Sequence, residues 1–516
     1  MKNLTLFTLL LLIANLSLAQ APSVYWKKCF GGSGPDELTS IKSAYPGAYV
    51  FAGYSGSIDG DVVGIHGSQY DYWVGLLSSS GALIWSKAIG GSGSEIAYSV
   101  DYTFDSGLVV TGYSNSTDGD VTGNHGTWDY WVAKLSKTGS IDWARSLGGS
   151  ATDIAECVIQ TSDSGFLVGG GSSSTDGDVI SGHHDSADCW VVKLSKSGSI
   201  QWQKSYGGSR GDGVNSMQQT YDGGYIIAGG SNSTDGDLTA NYGGYDVWII
   251  KIAANGDIEW QKNYGGSQDE NAVSIIQTSD SGYAFTGFTK SNDSDVSGNK
   301  GGVDAWVVKL SNTGIIQCQK CLGGSNADFG KSIIATKDGG YAVCAITFSN
   351  DSGITRNVGQ SDLWLVKLSA IGNIQWQKSM GGTSYDGANA MLQDADSSYV
   401  IAGYADSNDS DVVGNHGAGD CWVVKLGGTR TYDSLNNVND IYLYQIKIVP
   451  NPTSGVITIK GIEKGSVKIT SLVGTTLGEF PLSHANSIAC YPSGMYLVQV
   501  FDENGILVKM DRVVKE

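Results

Sequence analysis

Pairs of aspartates separated by one residue are the first feature of this chain that could do chemistry. They occur at Asp59/Asp61, Asp118/Asp120, Asp176/Asp178, Asp235/Asp237, Asp293/Asp295 and Asp409/Asp411. A further copy has Asp351 with Gly353 in place of the second acid. Carboxylates at this spacing, set among Ser, Asn and a turn Gly, are hard oxygen donors suited to Ca²⁺. No Glu follows at a position to complete an EF-hand-like loop, so the alternative is Asx-turn chemistry that shapes a long loop. His66, His125, His183, His184 and His416 lie in the same stretches, and His183-His184-Asp185 is the most ligand-like group. A second acid recurs at Asp36, Glu95, Asp153, Asp212, Glu270, Asp328 and Asp386. A residue demanded by every copy reads as scaffold, capping backbone N–H groups between neighbouring units. A glycosidase needs two acids with distinct roles, and nothing selects two of these seven. The adhesion-like tripeptide Arg210-Gly211-Asp212 contains the recurring acid and reads as coincidence. No nucleophile elbow, phosphate loop or dinucleotide fingerprint is present.

These residues are positioned by a repeat. Asp-x-Trp occurs at Asp71, Asp129, Asp188, Asp246, Asp304, Asp362 and Asp420, with spacings of 58, 59, 58, 58, 58 and 58 residues. Each copy holds four apolar runs, as in CVIQT, FLVGGGS, CWVVKLS and IQWQKSY, separated by Gly-containing turns. Four antiparallel strands per unit is one propeller blade. The array opens with a fourth strand, VYWKKCF, and stops after a third, CWVVKL. Six blades are therefore whole and the seventh is split between the ends, closing if the Trp26 strand pairs with the Trp422 strand. That closure removes two raw sheet edges. The expected fold is an all-β, seven-bladed propeller over residues 20–427, with both long connections of every blade at one end of the strands.

Over residues 22–427 the repeat resembles a bacterial family of seven-bladed propeller repeats. That family shares a Gly-Gly loop, an acid, a D-x-F-V-x-K-L strand and a closing Trp. Here Trp131 and Trp190 stand where that strand often has Phe. The resemblance implies the fold and little about chemistry.

Eight cysteines are present. A turn pairing Ser136 with Ser140, counted outward without interruption, sets Tyr130 opposite Ser146. In the split blade the equivalent residues are Cys421 and Cys29, the single blade with Cys at both places. A disulfide there would staple the ring and add about 2–5 kcal/mol, whereas the alternative is two small core thiols. Cys318 and Cys321 have metal-like spacing but point to opposite faces of a strand. Cys157, Cys344 and Cys490 read as buried small side chains.

The chain has 516 residues, 73 of them Gly and 7 Pro, which suits short strands and tight turns. Acidic residues outnumber basic ones by 51 to 32, a net charge of −19 that argues against nucleic-acid partners. Residues 1–19 read as a secretory signal: Lys2, an apolar run from Leu6 to Ile13, and the small-residue site Ser17-Leu18-Ala19. No stretch is long and apolar enough for a transmembrane helix, and export permits disulfides. Residues 428–445 read as a linker and 446–516 as a small β-sandwich. The sandwich carries Pro450-Asn451-Pro452-Thr453-Ser454-Gly455, Val473-Gly474 and Gly494-Met495-Tyr496, and it ends in VKMDRVVKE. It resembles the type A sorting domain of the bacterial type IX secretion system. The resemblance implies passage across the outer membrane by that machinery, removal of the domain, and release or attachment at the cell surface. An ordinary accessory sandwich is the alternative.

The expected function is non-catalytic binding of an extracellular glycan or protein by the loop-rich face, with Ca²⁺ as the candidate cofactor. The alternatives are a propeller hydrolase or lyase using loop carboxylates, or a purely structural component. Departures from the repeat are the better pointers. The candidate binding residues are Asp118, Asp120, Asp176, Asp178, His183, His184, Phe348 and Arg356. The expectation to test is whether unlike residues such as Arg356, Phe348 and His184 converge on a central pocket.

Overall fold

The computed structural model describes residues 20–427, save 46, 68, 181–185 and 355. In a second compact unit it describes 447–449, 453–454, 456–460, 464–471, 476–482, 486–487, 491–501 and 507–515. The signal segment, the linker, Cys490 and the motif residues Pro450, Asn451, Pro452 and Gly455 lie outside the described residues.

The first unit consists of seven four-stranded antiparallel sheets. Their first strands are Asp36–Ser43, Glu95–Tyr102, Asp153–Gln160, Asp212–Gln219, Glu270–Gln277, Asp328–Ala335 and Asp386–Gln393. The sheets are blades I to VII in that order. Each first strand packs against the first strands of both neighbours, so these strands form the inner ring. Val24–Phe30 pairs with Asp420–Leu426 and supplies the fourth strand of blade VII. Blade I then packs on blade VII, where Asn389 Nδ2 donates to Glu37 Oε1 at 2.7 Å and to the Leu38 carbonyl at 2.9 Å.

The Asp-x-Trp tryptophans fill the contacts between blades. Trp73, Trp131, Trp190, Trp248, Trp306 and Trp422 are almost wholly buried. The middle residue of the phrase faces the next blade: Tyr72 donates to the Trp131 carbonyl at 3.0 Å and Tyr130 to that of Trp190 at 3.1 Å. On the outer strands a second Trp lies against the turn glycine of the following blade. A Cβ at Gly81, Gly139, Gly198, Gly256 or Gly314 would meet Trp26, Trp85, Trp143, Trp202 or Trp260 within 3.1 Å. These glycines also hold positive φ, so both backbone and space require them. Between blades V and VI, Cys318 replaces the Trp and leaves a cleft bounded by Tyr341, Leu368 and Gly372.

The expected Cys29–Cys421 disulfide does not form, and both cysteines are free. The Ser136–Ser140 turn is as expected. Beyond it, a bulge between Lys134 and Leu135 shifts the outer pairing by one residue, so Tyr130 opposes Leu147 and Trp131 opposes Ser146. In blade VII the equivalent shift sets Cys29 opposite Trp422 and Cys421 opposite Phe30. A one-residue slip moves a side chain to the other face of the sheet. Cys421 accordingly packs with Trp73 on the blade I side, and Cys29 packs with Trp422 and Cys344 on the blade VI side.

The second unit pairs a three-stranded sheet with a four-stranded one. Ile448, Ile457, Ile469, Tyr496, Val498 and Val513 form its core. Tyr496 donates to the Pro492 carbonyl at 2.5 Å, and Thr453 N donates to the Val514 carbonyl at 2.8 Å.

The cleft at Cys318 stands where other blade contacts hold an indole. Cys318→Trp should fill it and stabilise the protein by about 1–2 kcal/mol. Calorimetry should show a melting temperature raised by a few degrees, with no change in circular dichroism.

Candidate functional site

The loops at the elaborate end are held by their own acids. In blade I, Asp36 Oδ2 accepts from Gly32 N at 2.8 Å and from Ser57 Oγ at 2.7 Å, while Oδ1 accepts from Ser55 Oγ. Glu95, Asp153, Asp328 and Glu270 repeat the amide contact at 2.7–2.8 Å and each also takes a hydroxyl. The first Asp of each pair binds the neighbouring loop. Asp59, Asp118 and Asp176 accept from Ser33, Ser92 and Ser150 N at 2.7 Å, and Asp235, Asp293 and Asp409 from Ser209, Ser267 and Thr383 N at 2.8–2.9 Å. These amide bonds hold Asp59, Asp118 and Asp176 below the usual carboxylate range, and the Ser267 hydroxyl together with its amide does the same for Asp293. Of the second acids, Asp61, Asp178, Asp237 and Asp295 accept from Gly31, Gly148, Gly207 and Gly265 N at 3.1–3.4 Å. Asp120 lies 3.7 Å from His66 Nε2. Asp411 lies 3.6 Å from Lys27 and 3.4 Å from Arg356. The pairs thus hold loops together. Among the described residues no three His, Cys, Asp or Glu side chains gather as a metal would require.

His66, His125 and His416 set Nδ1 within 2.6–2.8 Å of the buried carboxyls of Asp71, Asp129 and Asp420. The Asp420 carboxylate holds the His416 imidazole above its ordinary value. His183 and His184 lie outside the described residues. His184 precedes Asp188 by four positions, the spacing of His125 to Asp129. Arg356 ties blade VI to blade VII through Asp411. Phe348 packs edge-on against Phe329 and Tyr385, with centroids 6.4 and 6.5 Å apart. Phe348 and Arg356 therefore do different things.

The asymmetry expected of a site sits on the inner ring. Every first strand carries a β-bulge three residues after the recurring acid. The bulged residues are Thr39, Tyr98, Glu156, Asn215, Val273, Lys331 and Asn389, all half-buried at the channel edge. Bulges re-aim side chains and are common beside functional sites. Thr39, Asn215 and Asn389 each donate to the next blade's inner strand, at the carbonyls of Ala97, Ala272 and Leu38. Around the same mouth, Tyr54 packs on Tyr70, Tyr113 on Trp128, and Phe288 on Phe329. Blade III has Gly171 and Ala187 where blades I and II carry those ring pairs. Of these bulged residues and rim rings, only Phe348 was singled out from the sequence. The signal was there: acid-plus-three is a place in the repeat where seven copies hold six residue types.

Residues 447–516 match the secretion system C-terminal sorting domain. That domain marks the chain for export, to the cell surface or beyond it, and implies the secretion machinery as a partner. No helix among the described residues is long and apolar enough to cross a membrane. No curated protein matches the chain. Among solved structures the chain is similar to PorZ, a surface component of the type IX secretion system of Porphyromonas gingivalis. The two are 13% identical over 94% of this chain and 60% of that one, with a TM-score of 0.40. The chain is also similar to the WD40 domain of Neurospora crassa Pan2, at 8% identity over 77% and 90% of the two chains, with a TM-score of 0.43. A polysaccharide lyase of family PL25, an ulvan lyase, is similar at 9% identity over 77% and 97%, with a TM-score of 0.41.

The Asp-x-Trp aspartates give a pH prediction. Burial, with neighbouring acids adding to it, pushes Asp246, Asp304 and Asp362 up to about 6, and none of the three has a His beside it as Asp71 does. A carboxyl raised in the fold favours the native state while protonated, and that support is lost as pH rises from about 4 through 6. The melting temperature should therefore be higher at pH 5 than at pH 7.5. In Asp304→Asn, scanning calorimetry should show a smaller difference between the two.

Proposed function

We propose that this is an exported, non-catalytic binding module that holds a glycan at the channel mouth of its loop-rich end. The observation that carries this reading is the unequal aromatic rim: rings crowd the mouth at blades I, II and VI and are absent at blade III. Aromatic faces beside polar groups suit the C–H faces and hydroxyls of a sugar. The loop carboxylates are alike from blade to blade and are bound to backbone amides, which favours binding over hydrolysis or elimination. We take the mature protein to begin at Gln20, the propeller to run through residue 427, and residues 446–516 to serve export. An extracellular protein partner would use the same face.

Trp128→Ala should weaken binding of the best ligand from a glycan array by tenfold or more, while melting within a few degrees of the parent. Unchanged affinity would remove the rim from the site. Deletion of residues 446–516 should leave the protein in the periplasm, as read by immunoblot of cell fractions and of intact-cell surface labelling.

A further inference from the structure

Glu156 is the exception among the bulged residues. It occupies the place from which Thr39, Asn215 and Asn389 reach the neighbouring blade, yet once ionised it cannot donate as they do. Among the described residues its carboxyl has no hydrogen-bond or ion-pair partner, and burial alone pushes it up to about 7. No lysine, arginine or histidine among the described residues acts on it. Blade II contributes Tyr98 and Tyr113, whose phenols share a hydrogen bond and both feel the Glu156 charge, and the deeper Tyr130. The field of Lys42 acts on Asp101 and Cys157 instead. From blade IV, Asp212 is bound to Gly208 N and Ser233 Oγ, and Asn215 is turned to blade V.

Beside this acid there is room. A Cβ at Gly171 or at Gly213 would meet nothing within 4 Å. The rings next to it are close-set, with Tyr98 and Tyr113 centroids 5.8 Å apart and Tyr113 and Trp128 4.6 Å apart. An unpaired carboxyl beside aromatic faces, in a chain of net charge −19, is matched by a cation: the carboxylate supplies the ion pair and the rings supply cation–π attraction.

Resting on the glycan-binding reading above, we propose that the notch bounded by Glu156, Tyr98, Gly171 and Gly213 binds the ammonium group of an amino sugar. On binding, the Glu156 carboxyl gives its proton to solvent, and the carboxylate so formed pairs with the R–NH₃⁺ group. Close to one proton leaves per ligand at pH 6 and about half a proton at pH 7, and no covalent bond to the sugar changes. The aromatic walls favour a sugar ring over a bare alkylamine, because its C–H face can lie on them while its amine meets the acid.

The test is isothermal titration calorimetry of the full chain with tetramers of β-1,4-linked glucosamine and of N-acetylglucosamine, and with a lysine-rich peptide. The glucosamine tetramer should bind about tenfold more tightly at pH 7 than at pH 5.5 as Glu156 ionises. At pH 6 the heat should depend on buffer ionisation, reporting a released proton. Glu156→Gln should lose at least tenfold in affinity together with the pH dependence, and Gly171→Tyr, which supplies the ring that blades I, II and VII carry as Tyr54, Tyr113 and Tyr404, should block the notch without unfolding the protein. Equal binding of the N-acetylated tetramer, or full affinity in Glu156→Gln, overturns the amino-sugar assignment and leaves the glycan reading standing. Binding of the peptide alone, with the same dependence on Glu156, overturns both readings. Binding of none of the three overturns the assignment.

Discussion

A buried carboxyl at the head of each inner strand is what the rest of the propeller depends on. It gathers an amide from the Gly-Gly loop and hydroxyls from the end of the second strand, as Asp36 does with Gly32, Ser55 and Ser57. Hydrogen bonds to a charged acceptor are each worth about 1.5–3 kcal/mol, and an acid buried without them would be costly. This carboxyl locks the chain where it leaves one blade and enters the next. The aspartate pairs then fasten the second long loop to the first. The glycines of the Gly-Gly loop follow from the same crowding: a Cβ on Gly31 would lie 2.3 Å from Asp36 Oδ2.

Because seven junctions are locked in the same way, the loop-rich end is architecture before it is a binding surface. Variation is left to residues that hold nothing in common, and these are the bulges of the inner ring. Glu156 and Lys331 sit three blades apart, the widest separation that seven blades allow. A ring of equal wedges thereby acquires a direction.

Much of the fold was legible because its signals are periodic. Asp-x-Trp at a 58-residue period and an array that begins on a fourth strand led directly to seven blades and a shared sheet. The one failure of detail has a physical cause. The Cys29–Cys421 pairing assumed an uninterrupted ladder, and a bulge after the turn displaced it by one residue; nothing in the local sequence marks that bulge, since Asp142 resembles any exposed strand residue. For the aspartate pairs the sequence left calcium and turn chemistry side by side, and it does not display the loop amides that Asp59 and Asp61 accept from. The inner-ring site was overlooked for a different reason. Reading a repeat draws the eye to what is constant, whereas Tyr98, Glu156 and Lys331 differ at a position from which Thr39, Asn215 and Asn389 bond the next blade.

The split blade also bears on how the protein becomes folded. Val24–Phe30 is made first but completes a sheet whose other strands are made last. Until Asp420–Leu426 emerges, that opening segment has no partner, and contacts between distant parts of a chain form slowly. A translocation step that waits for the final segment of the polypeptide would therefore meet a molecule that has only just become able to shut, with timing written into the order of its strands.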